Sequence, residues 1–196
     1  MKAKLPARNL GLLAALAAVL LVAGCSVQET HDQGGSKKVA IKTPIGSLKV
    51  NTDVDAGDTG LPVFPGATRK EKSDSDKGAA NVNINSDLFG LKVAVIEFQT
   101  DQPPEKVLDF YKDKLKTYGS VLECRDTGFI TYNRKDPGSD RGSDQVTCDK
   151  REHRGDAVQL KVGTQDRQHI VAVKPHGDGS EFALVYVQTR GKQGTM

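Results

Sequence analysis

The clearest periodic pattern in the chain lies between Pro103 and Tyr118. Apolar side chains recur there at steps of three and four residues, and charged side chains fill the positions between them. This spacing is typical of an amphipathic helix, and Gly119 supplies a stop. The apolar positions are Val107, Leu108, Tyr111, Leu115 and Tyr118. The pattern therefore predicts one main helix, at about residues 103–118, that lies on a sheet.

The rest of the chain favours short strands separated by turn residues. Runs rich in Val, Ile and Phe, or alternating apolar and polar residues, are typical of strands. The turn at Pro65-Gly66 has the composition of type II, and His176–Ser180 that of a hairpin. The predicted strands surround Val39–Ile41 and Leu48–Val50 and cover Leu91–Thr100, Ser120–Cys124, Phe129–Asn133, Gln145–Cys148, Val158–Val162, His169–Val173 and Phe182–Gln188. We predict an α+β fold, in which an antiparallel sheet is covered by one main helix.

The run Leu91–Thr100 is dense in Val, Ile and Phe. A strand of this kind is usually buried on both faces of its sheet. We therefore expect it to be central and covered on both sides.

The chain begins with a basic segment and an apolar run, Leu10–Ala23, that ends in small residues before Cys25. The run is shorter than the about 20 apolar residues that cross a bilayer, so it predicts a cleaved secretion signal. Leu21, Ala23, Gly24 and Cys25 resemble the lipobox of bacterial lipoproteins. An incidental cysteine in a plain signal, or an uncleaved anchor, is the alternative.

The resemblance to bacterial lipoproteins implies that a diacylglycerol is attached to Cys25, that the chain is cleaved before it, and that the new amino group is acylated. Two or more acyl chains give a stable anchor where one gives only a marginal one. Ser26 follows the cysteine, where an aspartate would resemble an inner-membrane retention signal, so the expected location is the outer membrane, facing the periplasm.

This interpretation divides the chain into four parts. Residues 1–24 form the signal peptide, 25–38 a lipidated N-terminus and flexible tether, 39–190 a single α+β domain, and 191–196 a loose tail. The tether is expected because Ser26–Lys38 is polar and contains Gly34-Gly35-Ser36.

The net charge of +3 does not indicate a nucleic-acid-binding protein. All three excess positive charges, Lys2, Lys4 and Arg8, precede Cys25, and from there onward 25 Lys and Arg match 25 Asp and Glu. No basic patch is evident along the sequence, and we expect no nucleic-acid partner.

Cys124 and Cys148 are the remaining thiols. An even pair in an exported protein favours a disulfide, while two separately buried thiols are the alternative. Neither cysteine has a Cys-x-x-Cys partner or a histidine at zinc spacing.

The search for chemistry finds no convincing catalytic, cofactor or metal site. Asp53, Asp55 and Asp58 lie close together but depart from the calcium-loop pattern, so an Asp-capped turn is the simpler interpretation. The four histidines, His31, His153, His169 and His176, lack ligand spacing and are expected at exposed turns or strand edges. The tandem Gly-Ser-Asp at 138–144 is expected in a solvated connector, and the integrin-motif tripeptide Arg154-Gly155-Asp156 in a routine turn.

The segment from Leu61 to Ala67, the strand ending at Thr100 and the helix starting at Pro103 together resemble an uncharacterised class of secreted bacterial domains. These domains have a Pro-Gly-Ala turn, a strand, and a helix with an aromatic pair, here Phe110-Tyr111, and a trailing leucine, here Leu115. The resemblance implies a fold and no known activity.

The functional expectation is a lipid-anchored envelope protein that binds or scaffolds another envelope component and performs no chemistry. Its partners would be the membrane, through Cys25, and an envelope protein, and its oligomeric state is left open. The alternative is a periplasmic small-ligand-binding protein or an enzyme whose site is assembled from distant residues, near Tyr111 and Tyr118 or under the loop 133–144.

Overall fold

The structure of the protein is a computed structural model that describes residues 25–31, 37–70, 78–125, 128–132, 145–148 and 156–191. Over these residues it has one α-helix, α1 (Pro104–Leu115), and eleven strands. The strands are β1 (Ser26–His31), β2 (Lys37–Thr43), β3 (Gly46–Asn51), β4 (Thr68–Arg69), β5 (Ala79–Ser86), β6 (Gly90–Thr100), β7 (Val121–Arg125), β8 (Gly128–Tyr132), β9 (Val158–Thr164), β10 (Arg167–His176) and β11 (Gly179–Arg190).

All the strands join one antiparallel sheet in the order β1-β2-β3-β5-β6-β11-β10-β9-β7-β8, and the short β4 also pairs with β6. Strands β6 and β11 lie at its centre and pair over eleven residues, from Ser180 opposite Thr100 to Arg190 opposite Gly90. Turns of two or three residues connect β2 to β3, β5 to β6, β9 to β10 and β10 to β11. Such short connections favour antiparallel pairing between consecutive strands.

The hydrophobic core lies on one face of the sheet. Helix α1 packs on β9, β10 and β11, while a 3₁₀ turn at Ala56–Thr59 packs on β6 and β11. The helix buries Val107, Leu108, Tyr111 and Leu115, as its apolar stripe predicts. Aromatic rings fill the space beneath it: the Phe64 and Phe110 centroids are 5.2 Å apart, and those of Tyr111 and Phe182 5.6 Å apart.

The predicted fold is correct only in its coarser form, because sheet dominates the molecule and the helix covers just part of it. Strands β1, β2, β3 and β5 extend the sheet away from the helix. The helix itself is shorter than expected, since Lys116–Tyr118 forms a 3₁₀ turn instead of continuing it.

The N-terminal segment also differs from expectation. Ser26–His31 is not a tether but strand β1, paired with β2 from Ser26 opposite Lys42 to His31 opposite Lys37. The polar composition suggested a flexible segment, yet an edge strand needs only backbone partners to form. Lys37 and Lys38, the last two residues of the predicted tether, begin strand β2. Residues 32–36 of the tether and 192–196 of the predicted tail lie outside the described residues.

Two turn predictions are confirmed and one strand prediction is wrong. Gly66 has φ 79°, and Ala67 N–H donates to Phe64 O at 3.0 Å, as a type II turn requires. Gly177 has φ 56° in the two-residue turn between His176 and Gly179. Residues 145–148 form no strand, and Gln145 makes only an isolated bridge to Thr164.

Candidate functional site

The face of the sheet opposite helix α1 carries three rows of apolar side chains, here called the apolar face. Cross-strand pairing aligns each row, so neighbouring side chains lie about 5 Å apart. The longest row runs Val39, Val50, Val82, Val93, Val187. A second row is Ile41, Leu48, Ile84, Leu91, and a third is Val95, Val185, Ile170.

All of these side chains are half-buried, and none of them is fully buried. The opposite side of the same strand differs, because Ala94, Ile96 and Phe98 of β6 are 5% exposed or less. Six strands about 4.8 Å apart and three rows about 7 Å apart give the apolar face dimensions of roughly 24 by 14 Å. Patches of this size on a monomer often mark interaction sites.

Leu91–Thr100 is central, as expected, but among the described residues only one of its faces is covered, by the hydrophobic core and the 3₁₀ turn. The expected cover on the second face is therefore not confirmed. A strand with apolar residues on both faces is typical of a strand with apolar contacts on both sides. The pattern does not show whether the second contact comes from the same chain or from another molecule.

An ionic cluster lies at one end of the apolar face, around the carboxylate of Glu181. Lys70 Nζ is 2.6 Å and Lys174 Nζ 2.9 Å from Glu181 Oε2, and His176 Nδ1 is 3.1 Å from Glu181 Oε1. The hydrogen bond from Lys70, opposed by partial burial and helped by Lys174, lowers the pKa of Glu181 to about 2.

The cluster borders a cleft of about 180 Å³, whose lining includes Ala172 and Ala183 from the sheet. Lys70, Lys174 and Glu181 also line this cleft, and they bind one another within it. The cluster therefore holds β10, β11 and the segment after β4 together.

A second polar cluster lies on the covered face, around His169. Its Nδ1 donates to Thr59 O at 2.9 Å, and its ring centroid is 4.0 Å from that of Tyr118. Tyr118 in turn donates to Gly60 O at 2.6 Å. Burial lowers the pKa of His169, the carbonyl of Thr59 opposes that change, and Arg167 adds to it. These contacts fasten the 3₁₀ turn to β10 and to the end of the helix.

A third cluster surrounds Glu123, which is fully buried on β7. Lys112 Nζ from the helix lies 3.0 Å from Glu123 Oε2, and Arg125 Nε contacts Glu123 Oε1. The next residue, Cys124, forms a disulfide with Cys148, with the two Cα atoms 5.6 Å apart. The predicted disulfide is therefore present, and it ties the segment 145–148 to β7.

The remaining sequence predictions for individual residues have mixed outcomes. Asp55 and Asp58 form a capping box: Asp58 N–H donates to Asp55 Oδ1 at 3.3 Å, and Asp55 N–H to Asp58 Oδ2 at 3.2 Å. The interpretation as an Asp-capped turn is confirmed. For His169, the expectation of an exposed histidine is wrong, because the residue is 7% exposed.

His176 is exposed, as expected, but it also belongs to the Glu181 cluster. Cys25 is exposed and lies directly before β1. Tyr111, near which the alternative placed a pocket, is fully buried and donates to Pro62 O at 3.0 Å, and burial raises its pKa. Within the described ranges, no three His, Cys, Asp or Glu residues are grouped so that they could hold a metal ion.

Several predicted features lie outside the described residues. They are the signal peptide 1–24, the Gly-Ser-Asp loop within 133–144, His153, and Arg154-Gly155 of the tripeptide.

No family model matches the chain, and neither curated proteins nor solved structures give a significant match. Among the described parts of the chain, no helix has the length and apolar character needed to span a membrane. The sheet surfaces and the polar clusters are therefore the basis for a functional proposal.

Proposed function

We propose that this chain is a lipid-anchored protein of the bacterial cell envelope that binds another envelope protein through the apolar face of its sheet. The observation that carries the proposal is the apolar face itself. Val93 is paired with Val82 on one side and Val187 on the other, and all three are half-buried. Covering such an apolar surface with a complementary protein is favourable, because it removes apolar area from water.

The proposal assigns a binding role and no catalysis. The polar clusters nearest to a catalytic arrangement consist of groups that satisfy one another: Glu181 with its two lysines, and His169 with the Thr59 carbonyl. Such internal pairing is typical of polar groups that stabilise a fold. It favours a protein that presents surfaces over one that transforms a substrate.

The envelope address rests on the lipobox at Leu21–Cys25 and on the exposed position of Cys25 before β1. We propose that lipid on Cys25 holds the domain at the outer membrane, facing the periplasm. Intact-mass measurement of the protein purified from cells tests this part by itself. A first residue of Cys25 with added acyl mass supports it, and an unmodified Cys25 or a retained leader contradicts it.

The binding role is tested by a photoreactive residue introduced at Val93 and, in a matched control, at Asp109, which is exposed on the outer side of α1. Irradiation of intact cells is expected to give one discrete adduct of higher mass from the Val93 position only. Adding Val187→Asp to the same chain is expected to abolish that adduct, because a carboxylate opposite the probe cannot be buried without a partner.

Two outcomes would contradict the binding role. Equal adducts from both probe positions would indicate non-specific capture. An adduct with twice the mass of the chain would show that a second copy occupies the apolar face, so that the protein is an oligomer and no other protein binds there.

A further inference from the structure

The other face of the strands that extend beyond the helix is basic, although the chain from Cys25 onward has no net charge. Two cross-strand rows compose this basic face. The first row is Lys42, Ser47, Asn85, Gly90, Arg190, and the second is Lys49, Asn83, Lys92, Gln188. Because the cations come from β2, β3, β6 and β11, the linear sequence does not reveal that they form one surface.

The contacts of these cations are mainly with neutral groups. Arg190 donates to the side chain of Asn85 and to Ser86 O, and Lys92 Nζ lies 5.7 Å from the Tyr186 ring centroid. Lys42 and Lys49 form no ion pair within the described residues. They line a shallow depression of about 730 Å³ together with Arg190, and among its described lining residues Asp87 is the only carboxylate.

The position of the basic face relative to Cys25 suggests what it contacts. Ser26 pairs with Lys42, and Cys25 is the residue before Ser26. Consecutive Cα atoms are about 3.8 Å apart and Cα atoms of paired residues about 5.5 Å apart. The Cα atoms of Cys25 and Lys42 therefore lie within roughly 10 Å of each other. Lipid on Cys25 would therefore hold this corner of the sheet close to the bilayer, at a distance comparable with the Debye length of about 8 Å at physiological salt.

We propose that the basic face docks on anionic phospholipid headgroups of the membrane to which Cys25 is anchored. This inference rests on the proposed lipid anchor for its geometry. Contact of Lys42, Lys49, Lys92 and Arg190 with headgroup phosphates would fix the orientation of the domain. The apolar face, on the opposite side of the same strands, would then be directed away from the bilayer and toward a protein partner.

Amine-reactive footprinting of the natural full chain tests the proposal. The protein purified from cells is mixed with vesicles of phosphatidylcholine alone, or of phosphatidylcholine with phosphatidylglycerol, and the modification rate of each lysine is read by mass spectrometry. Attraction to an anionic surface favours the state in which a lysine contacts the headgroups by about fivefold for each lysine. The reactivity of Lys42, Lys49 and Lys92 is therefore expected to fall about fivefold with phosphatidylglycerol. High salt is expected to reverse this protection.

Lysines on the other side of the sheet provide the internal control. Lys37 alternates with Val39 on β2 and Lys174 with Ile170 on β10, so both lie on the side that carries the apolar face, and both are exposed. Their reactivity is expected to be the same with both vesicles. A matched pair of variants adds a second control. Lys49→Glu is expected to weaken the protection of Lys42 and Lys92, whereas Lys37→Glu, with the same change of charge, is expected to leave it intact.

The outcomes separate this inference from the lipid anchor. Full reactivity of the three lysines with phosphatidylglycerol vesicles, in protein whose mass shows acyl chains, overturns the headgroup contact and leaves the anchor standing. Protection in protein without acyl chains supports the contact and contradicts the anchor. Protection by a short DNA duplex in place of phosphatidylglycerol overturns the proposal, because the basic face would then be a nucleic-acid surface.

Discussion

The carboxylate of Glu181 provides the most quantitative test of the structure, through the variant Glu181→Gln. The change keeps the size of the side chain but removes the charge that Lys70 and Lys174 share. The pKa of Glu181 falls from 4.5 to about 2 in the folded protein. At about 1.36 kcal/mol for each pKa unit, this corresponds to at most about 3.4 kcal/mol of stability.

The expected loss is smaller than that limit because the lysines are partly in water. The Lys174 side chain is 56% exposed and that of Lys70 22%, so solvent and salt screen both attractions. The amide introduced by the substitution would also keep a neutral hydrogen bond worth about 1 kcal/mol. We expect Glu181→Gln to lower the free energy of unfolding by about 2 kcal/mol at neutral pH.

The pH dependence has a definite sign. A carboxylate whose folded pKa is depressed stabilises the protein fully above its unfolded pKa, and this contribution is lost as the pH falls through the folded value. The difference between the natural protein and the variant is therefore expected to be constant above pH 4.5 and to disappear toward pH 2. His169, whose folded pKa is lowered, weakens the fold on acidification too, but it does so in both proteins and cancels in the difference.

Urea unfolding followed by circular dichroism, repeated along this pH series, measures the effect. Glu105→Gln, on the exposed first turn of α1, is the control and is expected to change the unfolding free energy by no more than about 0.5 kcal/mol. A Glu181→Gln protein as stable as the control, or a difference that persists unchanged at pH 2, would refute the account of this cluster.

Two further predictions concern covalent and backbone constraints. The disulfide Cys124–Cys148 closes a loop with a sequence separation of 24 residues. The double variant Cys124→Ala, Cys148→Ala is therefore expected to lower the free energy of unfolding by about 3.5 kcal/mol in chemical denaturation. Equal stability of the natural protein and the double variant, measured without reductant, would contradict this. At Gly163, φ is 110° and an added Cβ would lie 2.2 Å from Arg167 O, whereas at Gly177 φ is 56° and the space is open. Gly163→Ala is expected to lower the free energy of unfolding by at least about 2 kcal/mol, and Gly177→Ala by about 1 kcal/mol. A Gly177→Ala protein that unfolds at a lower temperature than Gly163→Ala would contradict this order.

Local signals predicted much of the fold. The helix was identified by Val107, Leu108, Tyr111 and Leu115, whose spacing matches a helical turn and whose burial the structure confirms. Pro65-Gly66 specified its turn, because only a glycine readily adopts the positive φ required there. In each case the physical cause lies within a few residues of the chain.

The surfaces could not be predicted in this way, because strand register creates them. Lys49 and Lys92 lie far apart in sequence, yet Asn83 pairs with both. Strand β1 was missed for a related reason, since its partner strand, and not its own polar sequence, holds it in place. His169 was expected to be exposed because a single histidine between strands gives no sign of the Thr59 carbonyl that it meets.

The measurement that tests the central claim most directly is the thiol reactivity of two neighbouring residues on opposite faces of β6. Val93 lies on the apolar face and Ala94 in the core, where it is 0% exposed. In purified protein, a maleimide is expected to label Val93→Cys rapidly and Ala94→Cys hardly at all. Equal protection of both cysteines would contradict the account, because the chain itself would then cover the face that is proposed to bind a partner.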